Sequence, residues 1–139
     1  MKPYPLFIPP LHLAEKNRLA WSNAEANEYK RWLLAHIDER VQELVAYLHE
    51  SRSETGRGLL RKLGRKTIHL LRNSSFAQSE NGEVVLTNEG YALAADMGLL
   101  IAKLLIQESD GALTWRVVRS PKNDQSYNLP VLNGFSECR

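Results

Sequence analysis

Between Thr87 and Ile106 the chain reads TNEGYALAADMGLLIAKLLI, and from Tyr91 to Ile106 only Asp96 and Lys103 carry charge. Those two stand seven residues apart, two helical turns, so on a helix they project to nearly the same side. Glu89 and Gln107 extend that side in either direction. The segment is therefore expected to form a helix over residues 88–108 that is apolar over most of its circumference, with one narrow polar stripe. Such a helix needs several neighbours to cover it, which makes it the expected centre of the core. In this reading Asp96 and Lys103 mark the exposed stripe. A competing reading buries Asp96, where it would hydrogen-bond a docked hairpin.

The neighbours can be found along the rest of the chain. Ser22-Asn23-Ala24-Glu25 has the form of a capping box, with Ser22 as N-cap and Glu25 three residues on. A helix over 22–50 follows, its apolar stripe formed by Trp32, Leu33, Ile37, Val41, Leu44, Val45 and Leu48 at spacings of three and four. Arg31, Asp38, Glu39, Gln42 and Glu43 supply its wet face. After a polar loop, residues 57–72 form a second amphipathic helix. Arg57, Arg61, Lys62, Arg65, Lys66, His69 and Arg72 occupy one half of its circumference. Leu59, Leu60, Leu63, Thr67, Leu70 and Leu71 occupy the other.

Residues 1–13 are proline-rich and extended, yet Tyr4, Leu6, Phe7 and Ile8 are too apolar for a free tail. An arm packed on the body, or one joining a second subunit in a homodimer, is expected. A short helical turn should end near Trp21. Residues 77–82 read as a turn and Glu83–Thr87 as a short strand, with Thr87 or Asn88 capping the central helix. Gly111 is the expected left-handed residue after that helix.

Leu113, Trp115 and Val117 alternate with Thr114 and Arg116, the period of a strand. Tyr127–Leu132 can return beside it as an edge strand, because Pro130 donates no ladder bond. A hairpin over 113–132 follows. Trp115 is expected in the core and Phe135 to tuck back into it, with Tyr127 and Lys122 on the surface. The fold class is α+β: three main helices with a buried central one, and a small antiparallel sheet or hairpin.

At 139 residues the chain has the length of one domain, and 43% hydrophobic with 24% charged residues is ordinary for a globular protein. A single cysteine, Cys138, permits no internal disulfide. The prolines near the start oppose a secretory leader. The central helix is too short and too charged to span a bilayer, and a cytoplasmic protein is expected. The histidines at 12, 36, 49 and 69 form no ligand pair at helical spacing and no HExxH, so neither metal nor cofactor is expected. No arrangement of nucleophile and base points to an enzyme.

Charge segregation is the more informative feature. Six Lys or Arg fall between Arg57 and Arg72, and no acid occurs from Thr55 to Ser79, whereas the 22–50 helix carries six acids against three bases. A basic helix face of this kind can meet an acidic protein surface or phosphates, or be covered by the acids of the 22–50 helix. Arg61, Arg65, Lys66 and Arg72 are the candidate partner-binding residues, with Lys122 and Tyr127 beside the C-terminal hairpin as further candidates. Leu86-Thr87-Asn88-Glu89-Gly90 looks like the turn that precedes a helix in winged-helix regulators, and a basic helix lies upstream of it. DNA binding is thus the alternative to a protein partner.

Tyr29-x-x-Trp32-Leu33, the ALAADMG core of the central helix, LTWRVV, Ser120-Pro121-Lys122 and Leu129-Pro130-Val131-Leu132-x-Gly134-Phe135 follow one another in order. Together they resemble a family of small bacterial proteins with an ALxxDxG-like helix before a W…PK…PVLxGF ending. Members of this sort look like immunity proteins, which bind and block a cognate toxin. The resemblance implies a non-enzymatic protein binder. It covers residues 28–50 and 86–135 and departs at the basic helix, where an acidic and aromatic segment would be expected.

Overall fold

A computed structural model describes residues 3–48, 56–73 and 75–135. In chain order these form helix α1 (Leu11–Ala14), a 3₁₀ turn (Arg18–Ala20), α2 (Asn23–Tyr47), α3 (Gly56–Leu70), strands β1 (Ala77–Glu80) and β2 (Glu83–Leu86), α4 (Asn88–Glu108), β3 (Thr114–Val117) and β4 (Pro130–Asn133). The α+β class stands, with two separate antiparallel two-stranded sheets, β1–β2 and β3–β4, where one was expected. Contacts group the chain into two compact units: residues 1–7 with 38–101, and residues 8–37 with 102–139.

In the first unit, α2 presents Val41, Leu44, Val45 and Leu48 inward while Asp38, Glu39 and Gln42 stay exposed, as the three-and-four spacing requires. In α3, Leu63 and Thr67 are buried and Arg61, Lys62, Arg65, Lys66 and His69 are exposed. The segment read as a turn over 77–82 is instead the first half of a hairpin. Ala77 pairs with Leu86 and Glu80 with Glu83, leaving Asn81-Gly82 as the two-residue loop. Both loop residues have positive φ, 53° and 80°, the conformation a tight hairpin turn demands and Asn-Gly tolerates. Thr87 then caps α4, its Oγ1 accepting from the Gly90 amide at 3.1 Å. Gly90 is required for another reason: a β-carbon there would lie 2.1 Å from the Phe76 carbonyl oxygen.

The stripe reading of α4 is overturned in this unit. Asp96 is fully buried, at 0% exposure, and it meets the arm and α2 where a hairpin was the expected partner. Tyr91, Ala94, Ala95, Gly98 and Ile101 make up the exposed side. Small and apolar residues can stand in water singly at little cost, whereas a carboxylate can be buried only where donors await it. Here the Tyr4 hydroxyl donates to Asp96 Oδ2 at 2.5 Å, and Arg40 donates through Nε to Oδ1 at 2.9 Å and through Nη2 to Oδ2 at 2.7 Å. Tyr4 is itself buried, with its amide donating to Glu89, so the arm is packed against the body as expected.

In the second unit, Leu13, Trp21 and Ala26 pack with Tyr29 and Val117. The Trp21 indole donates to the Leu13 carbonyl at 3.2 Å. The capping box forms in both directions: the Ser22 amide donates to Glu25 Oε1 at 2.9 Å and the Glu25 amide to Ser22 Oγ at 3.1 Å. At its other end α4 closes with the Gly111 amide donating to Ile106 O and the Asp110 amide to Gln107 O. Asp110, not only Gly111, is left-handed, with φ of 53°. Strand β3 pairs with β4 from Thr114↔Asn133 to Val117↔Pro130. Phe135 does not tuck in; it is 50% exposed.

Candidate functional site

The surface feature singled out by charge is the outer face of α3. Leu60, Leu63, Thr67 and Leu70 commit one side of this helix to the interior, which leaves Arg61, Arg65, Lys66, His69 and, just past its end, Arg72 exposed. Three acids of α2 are engaged with residues outside α3. Glu43 is 3.3 Å from Arg40, Glu25 is 2.8 Å from Lys16, and Glu28 is 2.8 Å from His12. No side-chain hydrogen bond or ion pair joins Arg61, Arg65 or Arg72 to another described residue. Lys66 differs from them: its ammonium donates to the Leu48 carbonyl at 2.9 Å, satisfying a backbone acceptor just past the C-terminal end of α2.

Beside this face lies a half-open groove of about 820 Å³. Pro3 and Pro5 of the arm form one wall, Glu43, Ala46 and Tyr47 of α2 and Leu48 just after it form the floor, and Arg65, Lys66, His69 and Leu70 of α3 form the other wall. The walls are held from behind. The Tyr47 ring packs edge-on against Tyr4 at 4.8 Å and Phe76 at 6.1 Å between centroids. Arg40 Nη2 donates to the Pro5 carbonyl at 2.8 Å and Nη1 to the Leu6 carbonyl at 3.3 Å, and the Arg40 guanidinium lies 4.1 Å from the Phe7 ring centroid. The arm is therefore strapped down at Tyr4 and over the three residues that follow it.

Burial, more than any other influence, pushes the Tyr4 phenol far above the ordinary tyrosine range, and its bond to Asp96 and that group's charge push the same way. Burial likewise raises the Asp96 carboxyl, against the pull of the bonds from Arg40 and Tyr4.

Of the expected site residues, Arg61, Arg65, Lys66 and Arg72 thus belong to one surface. Lys122 and Tyr127 fall in the second unit. Lys122 is exposed as expected. Tyr127 is not: it is 5% exposed, because a bridge between Val118 and Tyr127 draws it inward and the Arg119 guanidinium lies 5.3 Å from its ring centroid. Next to it Asn128 is also buried, donating to the Arg18 and Trp21 carbonyls at 2.8 and 3.2 Å and accepting from Arg119. Tyr127 is removed from the candidate contact residues.

Sequence reasoning passed over Arg40. The available signal was its position: it falls at a three-residue step along the apolar stripe of α2, where a cation needs a buried acid. The groove residues carried no such signal, since three separate segments assemble it. His36 Nδ1 lies 2.6 Å from the Trp32 carbonyl and its ring rests on the Trp32 indole. Among the described residues no group of three or more His, Cys, Asp or Glu could hold a metal ion, and no helix is long and apolar enough to cross a membrane. His49 and Cys138 lie outside the described residues.

Comparison of the chain with known protein families, with curated proteins and with solved structures finds no match.

Proposed function

We propose that this chain is a non-enzymatic binding protein, an immunity protein that covers a cognate bacterial toxin, and that α3 is its docking helix. The observation that carries the reading is the basic face itself. Arg61, Arg65 and Arg72 stand exposed with no side-chain hydrogen bond or ion pair to another described residue, and Glu43, the acid of α2 beside the neighbouring groove, is turned to Arg40. Arginine is the cation best suited to such a surface, because its planar fork engages carboxylates in pairs of bonds. An acidic face around a toxin's active site would be its complement, with charge steering the encounter and selecting the partner.

The test combines capture with charge reversal. Tagged protein is used to recover a stoichiometric partner from nuclease-treated lysate of the source organism, and the partner's affinity is then measured for the Arg61→Glu/Arg65→Glu variant. The expected result is a loss of binding of at least tenfold, about 1.4 kcal/mol, with an unchanged melting temperature. Unaltered affinity removes this face from consideration.

The winged-helix alternative has one observation in its favour. The β1–β2 hairpin follows α3 directly and leads into α4, the order of a recognition helix and its wing. Against it, the hairpin's tip carries Glu80 and Glu83 on either side of Asn81-Gly82, and a wing that tracks a phosphate backbone needs cations there. Duplex affinity that falls steeply with salt, with a slope set by the phosphates neutralised, would favour DNA over protein.

A further inference from the structure

We infer that the groove between the proline arm and α3 is a binding site for a small amphipathic anion, a molecule with a flexible apolar body and a carboxylate head. The inference goes beyond a protein partner on the α3 face and stands on the groove's own construction. Its volume of about 820 Å³ lies within the roughly 300–1,000 Å³ of small-molecule sites. Pro3, Pro5, Ala46, Tyr47 and Leu70 give it apolar walls, which call for an apolar body.

The polar groups decide the head. Arg65, Lys66 and His69 come from successive positions and one further turn of α3, so they line the same wall. Among the described lining residues Glu43 is the sole acid, and its carboxylate is 3.3 Å from Arg40, which offsets its charge. The charge balance of the described lining is positive. Arg65 is exposed and can swing over the mouth to meet a carboxylate with two parallel bonds. Lys66 stays with the Leu48 carbonyl and contributes charge.

The walls are also formed in advance. Pro3 and Pro5 flank Tyr4, whose hydroxyl is bonded to Asp96, and Arg40 holds the Pro5 carbonyl. Tyr47 is clamped between Tyr4 and Phe76. A ligand entering such a site orders little of the protein, so less of its binding free energy is offset.

Isothermal titration calorimetry of the full chain with decanoate, below its micelle concentration, and with decanamide as the neutral analogue tests this. Decanoate should bind once per chain, and decanamide at least tenfold more weakly. Ala46→Trp, which places an indole in the groove from an exposed position, should abolish binding of both at an unchanged melting temperature. Arg65→Gln should bring decanoate down to the affinity of decanamide. If decanoate shows no saturable heat, or if Ala46→Trp with an intact melting transition binds it as the parent does, the groove is not the site. Equal affinity for decanoate and decanamide overturns the anionic head. If Ala46→Trp melts early, amide chemical shifts of the parent chain serve in its place: perturbations under decanoate must centre on Ala46, Tyr47, Arg65 and Leu70, and a pattern elsewhere overturns the site.

Discussion

Arg40 and Asp96, 56 residues apart in the chain, meet in the interior of the first unit through two parallel hydrogen bonds of 2.9 and 2.7 Å. Every donor of the guanidinium is used. Nε–H and one Nη2–H go to Asp96, the other Nη2–H to the Pro5 carbonyl, and Nη1 serves the Leu6 carbonyl and Glu43. A pair this well satisfied is costly to break and much less costly to replace. Asp96→Leu alone should destabilise the fold by about 3–5 kcal/mol, because it strands a buried cation. Arg40→Met with Asp96→Leu and Tyr4→Phe removes the three buried polar side chains together, leaving the half-buried Glu43 and two arm carbonyls, and should recover more than half of that loss. Urea unfolding of the parent, the single variant and the triple variant decides it. A triple variant as unstable as the single one would mean that the network does more than neutralise its own burial.

Tyr4 gives the network a pH signature. Its phenol is held far above the ordinary tyrosine range by burial first and by Asp96 second. A group whose folded pKa is raised contributes stability that is present below its unfolded value and lost as pH rises through the folded one. The contribution should therefore be full below pH ~10 and fall by about 1.4 kcal/mol per pH unit above it. Tyr4→Phe should be the less stable protein at pH 8, and the gap between it and the parent should close above pH ~10. A gap that stays constant to pH ~11.5 would show that Tyr4 ionises normally.

Gly90→Ala sets two effects against each other. In a helix, alanine is favoured over glycine by about 1 kcal/mol. At this position the new methyl would sit 2.1 Å from the Phe76 carbonyl oxygen, and that atom is already the acceptor for the Thr87 amide. Backbone cannot swing aside as a side chain can, so the collision should win. The net loss should be about 1–3 kcal/mol, read as a lowered urea midpoint at unchanged slope. A neutral or stabilising substitution would mean that hairpin and helix can part freely.

The Ser22–Glu25 box predicts acid behaviour. Glu25 is held below the ordinary glutamate range by its hydrogen bond from Lys16 first and by the Ser22 amide second. A depressed carboxyl contributes stability above its unfolded pKa that is lost as pH falls through the folded one, so this contribution should fade only in acid, below the ordinary glutamate range. An NMR titration of the Glu25 carboxyl should place its midpoint below the ordinary glutamate range, and Lys16→Ala should raise it more than Ser22→Ala, which leaves the Ser22 amide in place, does. The reverse order would make the cap, not the cation, its main partner.

These elements differ in how far the sequence reveals them. The capping box, the two amphipathic helices and the Leu113–Val117 alternation depend on residues within one turn or one strand of each other, so spacing alone is enough. The Asn81-Gly82 hairpin was legible in its turn dipeptide but hidden by its flanks, since Gln78, Ser79 and Glu80 show no apolar alternation. Asp96 was misread because periodicity reports which residues share a side and not whether that side faces water. Its partners, Tyr4 and Arg40, arrive from 92 and 56 residues away. Tyr127 and Phe135 exchanged their expected places for the same reason. Two aromatics near turns look alike until the chain decides which of them is drawn under a neighbouring bridge.

Tyr127 and the α3 arginines should accordingly separate structure from binding. Tyr127 is packed beneath Arg119 beside the buried Asn128, so Tyr127→Ala should cost about 3–5 kcal/mol, as deletion of a buried aromatic does, and lower the melting temperature. Binding measured below the new transition should be nearly unchanged. Arg61→Glu and Arg65→Glu should do the opposite, since exposed side chains without described partners contribute within about 0.5 kcal/mol to stability. Melting curves and partner affinities on the same samples give the two readouts together. If Tyr127→Ala abolished binding while melting normally, or if Arg61→Glu unfolded the protein, the assignment of one residue to the interior and the other to the docking face would be reversed.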